Sequence, residues 1–525
     1  MEDLLYYSLT IAVCIAVIPL LSTLRSFTAT GTPPPSLPPG PSRLSLITPL
    51  LFLGRTNFGI ERVLSAARSR YGPVYTLYLH PSRPAIFVAD HAAAHRALVQ
   101  RGAAFADRPP ASLAFRIFSS GQRNITSGAY GPLWRALRHN LTGKVFHQSR
   151  LGRFAAARRK ALQGLVAGVV ARQMRGDGVV VVEALLHRAM FHVLVTMCFG
   201  ERLATDAVVA AVEKLQREFL TSVLGFQVFD VCPAVTGILF RRRWKQMLSL
   251  RRRQEELFAP LIRACSAQRD AGDGVADTTT YVDTLLDLRI PEDGGRNLTE
   301  GEMVSLCAEF VAVGTDNTAT EAQWIMANLV AQPEIQARLR AEIHQVTSGS
   351  ACIQEADLPR MPYLRAVVLE GLRRHPPGHF AIPHAATGID DDDGDVGLSL
   401  EGFRVPRRAS LNFPLVALGL DEAVWPDPLQ FRPERFLPGG EGADVDLTGA
   451  KEIKMIPFGA GRRICPGMAL ALLHLEFFVA SLVAEFEWVQ VPGEPVEFAE
   501  KQELSVVMRH PLRATVVRCT RNAPN

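Results

Sequence analysis

Apolar residues run almost unbroken from Leu4 to Leu24, and a proline-dense segment, Thr32 to Pro41, follows before any periodic pattern begins. As a helix the first run spans roughly 31 Å, about one hydrocarbon core. Glu2 and Asp3 precede it and Arg25 follows, the reverse of the charge order of a cleaved signal peptide. It therefore reads as an uncleaved anchor with the body in the cytoplasm, a buried amphipathic helix being the alternative. Proline this dense forms neither helix nor sheet and predicts a stiff extended spacer. Beyond it, Val74 to Tyr78 and Ala85 to Val88 flank a turn containing Pro81 and predict a hairpin. Helical periodicity dominates from there to about Gln345. The pattern thus divides the chain into an anchor (1–25), a hinge (26–45) and one body (46–525) with no evident linker.

Within the body one helix stands out. Thr299 and Glu302 form a capping-box pattern and Pro333 marks the end, so a run of roughly 50 Å is expected. Apolar residues on most of its sides (Met303, Leu306, Phe310, Val311, Val313, Trp324, Ile325) predict burial. Its middle nevertheless reads Gly314-Thr315-Asp316-Asn317-Thr318. Polar residues at the centre of a buried helix cost stability, and such a breach of local rules marks either a functional site or a satisfied polar network at a kink. Tyr363 to Arg374 predicts a further helix, with Glu370 and Arg373 on one face and Arg435 available as a third member of a buried network. Trp134 and Arg138 also share a helix face. Arg241 to Leu257 predicts a helix whose arginine triplets read as a solvated or membrane-facing surface, and Asp390 to Asp395 an exposed acidic loop.

Near the end lies Pro457 to Gly467, with Cys465 set among glycines and arginines, followed by an apolar helical pattern from Met468. A helix N-terminus and nearby arginines favour thiolate over thiol, and a thiolate is a metal ligand. The glycines let a flat ligand approach the backbone, and Phe458 is placed to shield the sulfur. The other reading is a buried structural cysteine. Composition narrows the class. The net charge is +5 over 525 residues, and basic residues are not interleaved with aromatics in a tract, which argues against nucleic-acid binding. The eight cysteines are scattered without CxxC or zinc spacing, which fits a reducing compartment.

Taken in order, these stretches resemble the cytochrome P-450 family of haem-thiolate monooxygenases, in its membrane-anchored plant type. Phe458-Gly459-Ala460-Gly461-Arg462-Arg463-Ile464-Cys465-Pro466-Gly467 matches FxxGxRxCxG, Glu370-Gly371-Leu372-Arg373 matches ExxR, and Trp134-Arg135-Ala136-Leu137-Arg138 matches WxxxR. The segment Phe431 to Phe436 matches the region that completes the ExxR network. The resemblance implies a mainly α fold with a smaller β region and one N-terminal transmembrane helix. It implies haem b (heme, iron protoporphyrin IX) with Cys465 as proximal thiolate, a ligand that favours O–O cleavage. Trp134, Arg138 and Arg463 would bind the propionates, and His384, after Pro383, stands where an arginine is common. Phe458 and Gly459 belong to the cofactor loop. Gly314 would open the long helix for oxygen, with Asp316 in the proton path. The family pattern (A/G)Gx(D/E)T(T/S) is here Val313-Gly314-Thr315-Asp316-Asn317-Thr318. Asn317 replaces the usual threonine, leaving Thr318, a water or the substrate to complete the proton path.

The expected function is insertion of one atom of O2 into an apolar small molecule. Electrons would come from NADPH through a separate NADPH–cytochrome reductase in the endoplasmic reticulum membrane, since no nucleotide-binding glycine loop is evident. Rival expectations are a peroxide-rearranging isomerase or dehydratase and a non-catalytic haem sensor. Phe115, Ile117, Phe118, Ala312, Val313, Phe380 to Ile382, Leu504 and Ser505 are expected to line the substrate pocket.

Overall fold

The computed structural model describes residues 37–41, 60–80, 83–174, 178–230, 233–271, 279–348, 353–387, 398–407 and 409–519. The expected anchor, most of the proline hinge, the turn at Pro81 and the acidic loop lie outside the described residues. The chain divides into two compact units, each assembled from distant segments. One draws on residues up to Pro110, Phe380–Gly419 and Asp446–Ile464; the other on Ala111–His379, Leu420–Val445 and residues from Cys465 on.

In the first unit, strands β1 (Val74–His80) and β2 (Arg83–Val88) form the expected antiparallel hairpin, Val74 opposite Val88 and Thr76 opposite Ile86. β3 (Ser410–Asn412) adds to β2 in parallel, bringing together segments more than 300 residues apart. Val74, Ile86, Val88, Leu411 and Phe413 build a core that also takes in Leu98, Phe105, Ile456 and Ala460. The first half of the cysteine loop is therefore anchored by its own apolar side chains. Gly461 shows why the loop needs glycine: its φ is +67°, and a Cβ there would lie 1.8 Å from the carbonyl oxygen of Leu98.

The second unit is mainly helical. α1 (Pro132–Asn140) carries Trp134 and Arg138, and α2 (Glu183–Phe199) packs along α3 (Glu300–Ala331). The capping box forms as expected: Thr299 N donates to Glu302 Oε2 at 2.7 Å, and Glu302 N to Thr299 Oγ1 at 3.2 Å. Arg296 and Arg123 also bond the Glu302 carboxylate, which is held down to about 2. The Arg241–Asp270 helix exceeds its expected end and passes through Pro260. Its arginines are not all solvated: Arg251 reaches Ser305 Oγ (3.0 Å) and Gly301 O (3.1 Å) on α3.

α4 (Pro362–Arg374) is followed by α5 (Met468–Glu485), and the strands Val179–Val181, Arg513–Arg518 and Phe486–Gln490 form an antiparallel sheet in that order. α5 is the one helix among the described residues long and apolar enough to cross a membrane, and 61% of it is buried within the protein. It serves as a core helix.

The Glu370 network forms as expected. Arg373 clamps the Glu370 carboxylate through Nε (2.7 Å) and Nη2 (2.8 Å), while Arg435 Nε approaches Oε1 at 3.3 Å. Arg432 N donates to the same oxygen at 2.8 Å, and the arginines also bond the carbonyls of Pro428 and Asp427. The Glu370, Arg373 and Arg435 side chains are wholly buried. Gly371 keeps this helix close to α3, for a Cβ there would meet Ile325 Cγ1 at 2.5 Å and Glu321 Oε1 at 2.7 Å. Removing one partner of such a network strands a buried charge, so Glu370→Ala should lower stability by about 3–5 kcal/mol. Chemical denaturation monitored by circular dichroism checks this; a loss below about 1 kcal/mol contradicts it.

Candidate active site

Cys465 lies three residues before α5, partly buried, with Gly467 as the helix N-cap. Burial pushes its thiol up, against the opposing pull of the Gly467 N–H and the Arg138 guanidinium. The donors expected from the sequence are present and favour the thiolate, but desolvation, which the sequence did not show, opposes them and is the larger effect. A cation bound to the sulfur would favour the anion at this position. Arg463 is not the arginine that acts on the sulfur electrostatically; that one is Arg138.

Arg138 itself is partly buried, sits 5.9 Å from the Trp134 ring centroid, and has no carboxylate partner among the described residues. Burial lowers its pKa, the Cys465 charge opposing. A desolvated guanidinium without a carboxylate calls for an anion. Trp134 commits its indole N–H to the Ile125 carbonyl at 3.0 Å. In this unit, then, a sulfur ligand stands beside an uncompensated guanidinium, a donor set that suits an iron porphyrin with carboxylate side chains.

In the first unit Arg463 is buried, and its Nε donates to Ala106 O at 2.7 Å. Around it lie His384, expected from the sequence, and Arg108, which the sequence reading did not single out. Arg108 Nη1 bonds Ile382 O (2.7 Å) and Pro383 O (3.0 Å), and burial together with Arg463 lowers its pKa to about 9. The same burial, with Arg108 and Arg463, lowers His384 to about 3. His384 is consequently neutral. Its Nδ1 bonds Phe105 O at 2.8 Å and so carries the hydrogen, leaving Nε2 as an acceptor until an anion arrives. Arg108 follows Asp107, two residues past the buried Phe105-Ala106 pair, a cue that only the fold makes readable. Phe458 and Gly459 are both half-buried in this unit, and Gly459 adopts φ +69°.

On α3, Val313 (39% exposed) and Asn317 are exposed, four residues apart, on a helix whose centre is otherwise largely buried. The Asn317 amide makes no hydrogen bond among the described residues. Gly314 does not open the helix, which runs unbroken from Glu300 to Ala331. It instead admits α2, since a Cβ would lie 2.8 Å from Leu194 Cδ1. Thr318 Oγ1 donates to Gly314 O at 3.1 Å, so its proton is engaged by the backbone. Asp316 is buried, accepting from Ser505 Oγ at 2.5 Å and lying 3.4 Å from His187 Nε2. Ser505 is thus an internal partner of Asp316 rather than a pocket wall, and Phe118 is buried against Phe219, ring centroids 4.7 Å apart.

One further group on α3 was missed. Glu321, one turn past Asn317, is 1% exposed and neither carboxyl oxygen has a partner among the described residues. Burial raises its pKa well above the ordinary carboxylate range, so it folds as the neutral acid.

The profile of the Cytochrome P450 family matches residues 38–517, and the chain belongs to that family. It is 44% identical to cytochrome P450 89A9 of Arabidopsis thaliana over 91% of this chain and 93% of that protein. It is 29% identical to tryptamine 5-hydroxylase of Oryza sativa subsp. japonica, covering 95% and 93%. Among solved structures, a retinoic acid-bound cyanobacterial CYP120A1 superposes with TM-score 0.72 at 21% identity, covering 92% of this chain and all of that one. The fold is the P450 fold, mainly helical with some sheet, and the protein is a cytochrome P450 monooxygenase, a family that uses haem and O2.

Because Glu321 is protonated when folded and ionised when unfolded at neutral pH, its contribution to stability falls as pH rises from the unfolded carboxylate pKa towards the folded one. Glu321→Gln should remove that component and flatten the decline, as denaturation midpoints from pH 5 to 8 would report. An unchanged slope would mean that Glu321 is ionised or paired.

Proposed function

We propose that the protein is a membrane-anchored monooxygenase of the endoplasmic reticulum. It inserts one atom of O2 into an apolar small molecule, with electrons from NADPH delivered by a separate reductase in the same membrane. The observation that carries the haem-dependent reading is the Cys465 thiol flanked by the Gly467 N–H and by Arg138, a buried guanidinium without a carboxylate. Haem supplies the iron that Cys465 would ligate, and with it the activation of O2. The motif match assigns Arg138, Trp134, Arg463 and His384 to its carboxylates, although Trp134 commits its one N–H to the Ile125 carbonyl; Arg108 joins the set by its place beside Arg463 and His384. His384 becomes a donor only on taking up a proton, which an approaching carboxylate favours. The uncharged run Leu4 to Leu24 and the proline hinge support membrane attachment, and the relatives' names support hydroxylation of small molecules.

A second reading rests on one specific residue. Asn317 is exposed and offers an amide where the family pattern has a hydroxyl, which suits rearrangement of a peroxide as well as activation of O2. Val313 and Asn317 would face the reacting molecule, Asn317 positioning a water or donating its N–H, while Asp316 supplies protons. Reconstitution with a plant NADPH reductase under ¹⁸O2 separates the two. Label in the product, dependent on NADPH, is the expected result, and Asn317→Thr should raise product formed per NADPH severalfold. Turnover of fatty-acid hydroperoxides without NADPH or label would establish the second reading instead.

A further inference from the structure

His187 stands in the second turn of α2 and is 4% exposed. Both of its ring nitrogens face oxygen. Nδ1 lies 3.0 Å from the carbonyl of Glu183, one turn back, and Nε2 lies 3.4 Å from Asp316 Oδ1 on α3, 129 residues away in sequence. A carbonyl can only accept, so Nδ1 bears hydrogen. A neutral imidazole has one N–H, and its Nε2 would then aim a lone pair at a carboxylate oxygen. The contact is attractive only when the pair holds one more proton, on Nε2 or on Oδ1. Ser505 closes the other side, Oγ donating to Oδ2 at 2.5 Å, so all three groups are buried and mutually oriented.

The neighbouring charges on α2 are paired. The Glu183 carboxylate pairs with Arg217 at 2.9 Å, and Arg188 faces Glu213 at 3.4 Å. On α3 the neighbours of Asp316 in sequence are the neutral Thr315 and Asn317, and from the Leu504–Ser505 turn the Ser505 hydroxyl reaches it.

We propose that His187 and Asp316 hold one shared proton, stored on Nε2 and handed to Oδ1 when the aspartate is called on to donate. This rests on the monooxygenase reading, whose oxygen chemistry consumes protons. In the step the Nε2–H bond breaks and an Oδ1–H bond forms; imidazolium becomes neutral imidazole and carboxylate becomes neutral acid, with no change in net charge. The contact also explains how an aspartate next to an asparagine, rather than a hydroxyl, can still donate. His187 is a positioning and proton-supplying residue, acting through Asp316.

The full-length protein labelled with ¹⁵N-histidine provides the direct test, His187→Gln assigning the resonance. The expected result at pH 7.5 is either a doubly protonated His187 or a neutral Nδ1–H form accompanied by an acid carbonyl stretch in the infrared that Asp316→Asn abolishes. If His187 is doubly protonated, Asp316→Asn should convert it to the neutral Nδ1–H form. In the reconstituted enzyme His187→Gln should lower kcat about tenfold with KM unchanged and enlarge the solvent deuterium isotope effect. A neutral His187 beside an ionised Asp316, or an unaltered kcat in His187→Gln, overturns the proposal while leaving the oxygenase reading intact. The shared proton found in a protein that makes no NADPH-dependent product would support the pair and count against that reading instead.

Discussion

Polar side chains at the centre of a long helix through an apolar core cost stability unless a neighbouring group answers them. α3 sets that constraint for the second unit. Asp316 is answered by Ser505 and His187, Thr318 by the carbonyl of Gly314, and Gly314 itself by the close approach of Leu194. Other groups are left over, the buried Thr315 and Thr320 hydroxyls among them, which have no partner among the described residues. Asn317 is exposed, and Glu321 is buried without a partner among the described residues and is kept neutral by burial. Asn317, within the stretch where the family pattern places its oxygen chemistry, and Glu321 lie four residues apart.

The cysteine loop obeys a related rule with the opposite sign. Its donors favour the anion, yet burial dominates and raises the thiol. Burial disfavours a free thiolate at such a site, and a metal cation sharing the sulfur would offset that cost. Arg138, also desolvated, is placed to accept an anion. The cationic cluster of Arg108, Arg463 and His384 has the same logic: burial and mutual repulsion lower two of its pKa values, a cost that carboxylate binding relieves.

Much of this could be read in advance because the signals were local. The hairpin at Val74 to Val88, the capping box at Thr299, the helix around Glu370 and the apolar helix after Gly467 follow from period, caps and proline. The Glu370–Arg373 pair was legible from its spacing, since i, i+3 places both on one helix face. What the sequence could not show depends on contacts distant in the chain. Gly314 looked like a break, but its lack of a Cβ serves α2, which no local rule reports. Ser505 looked like a pocket wall and proves to be a hydrogen-bond donor to a residue 189 positions away. Arg108 and Glu321 belong to no motif, and their meaning comes from burial alone.

The central claim is that Cys465 holds haem iron as a thiolate in spite of a protein environment that favours the thiol. The reduced, carbon monoxide-bound absorption spectrum of the purified protein tests it most directly. The account predicts the long-wavelength Soret band of a thiolate-ligated haem, lost in Cys465→Ser. A Soret band at the position of a histidine-ligated haem, unchanged by that substitution, would contradict it.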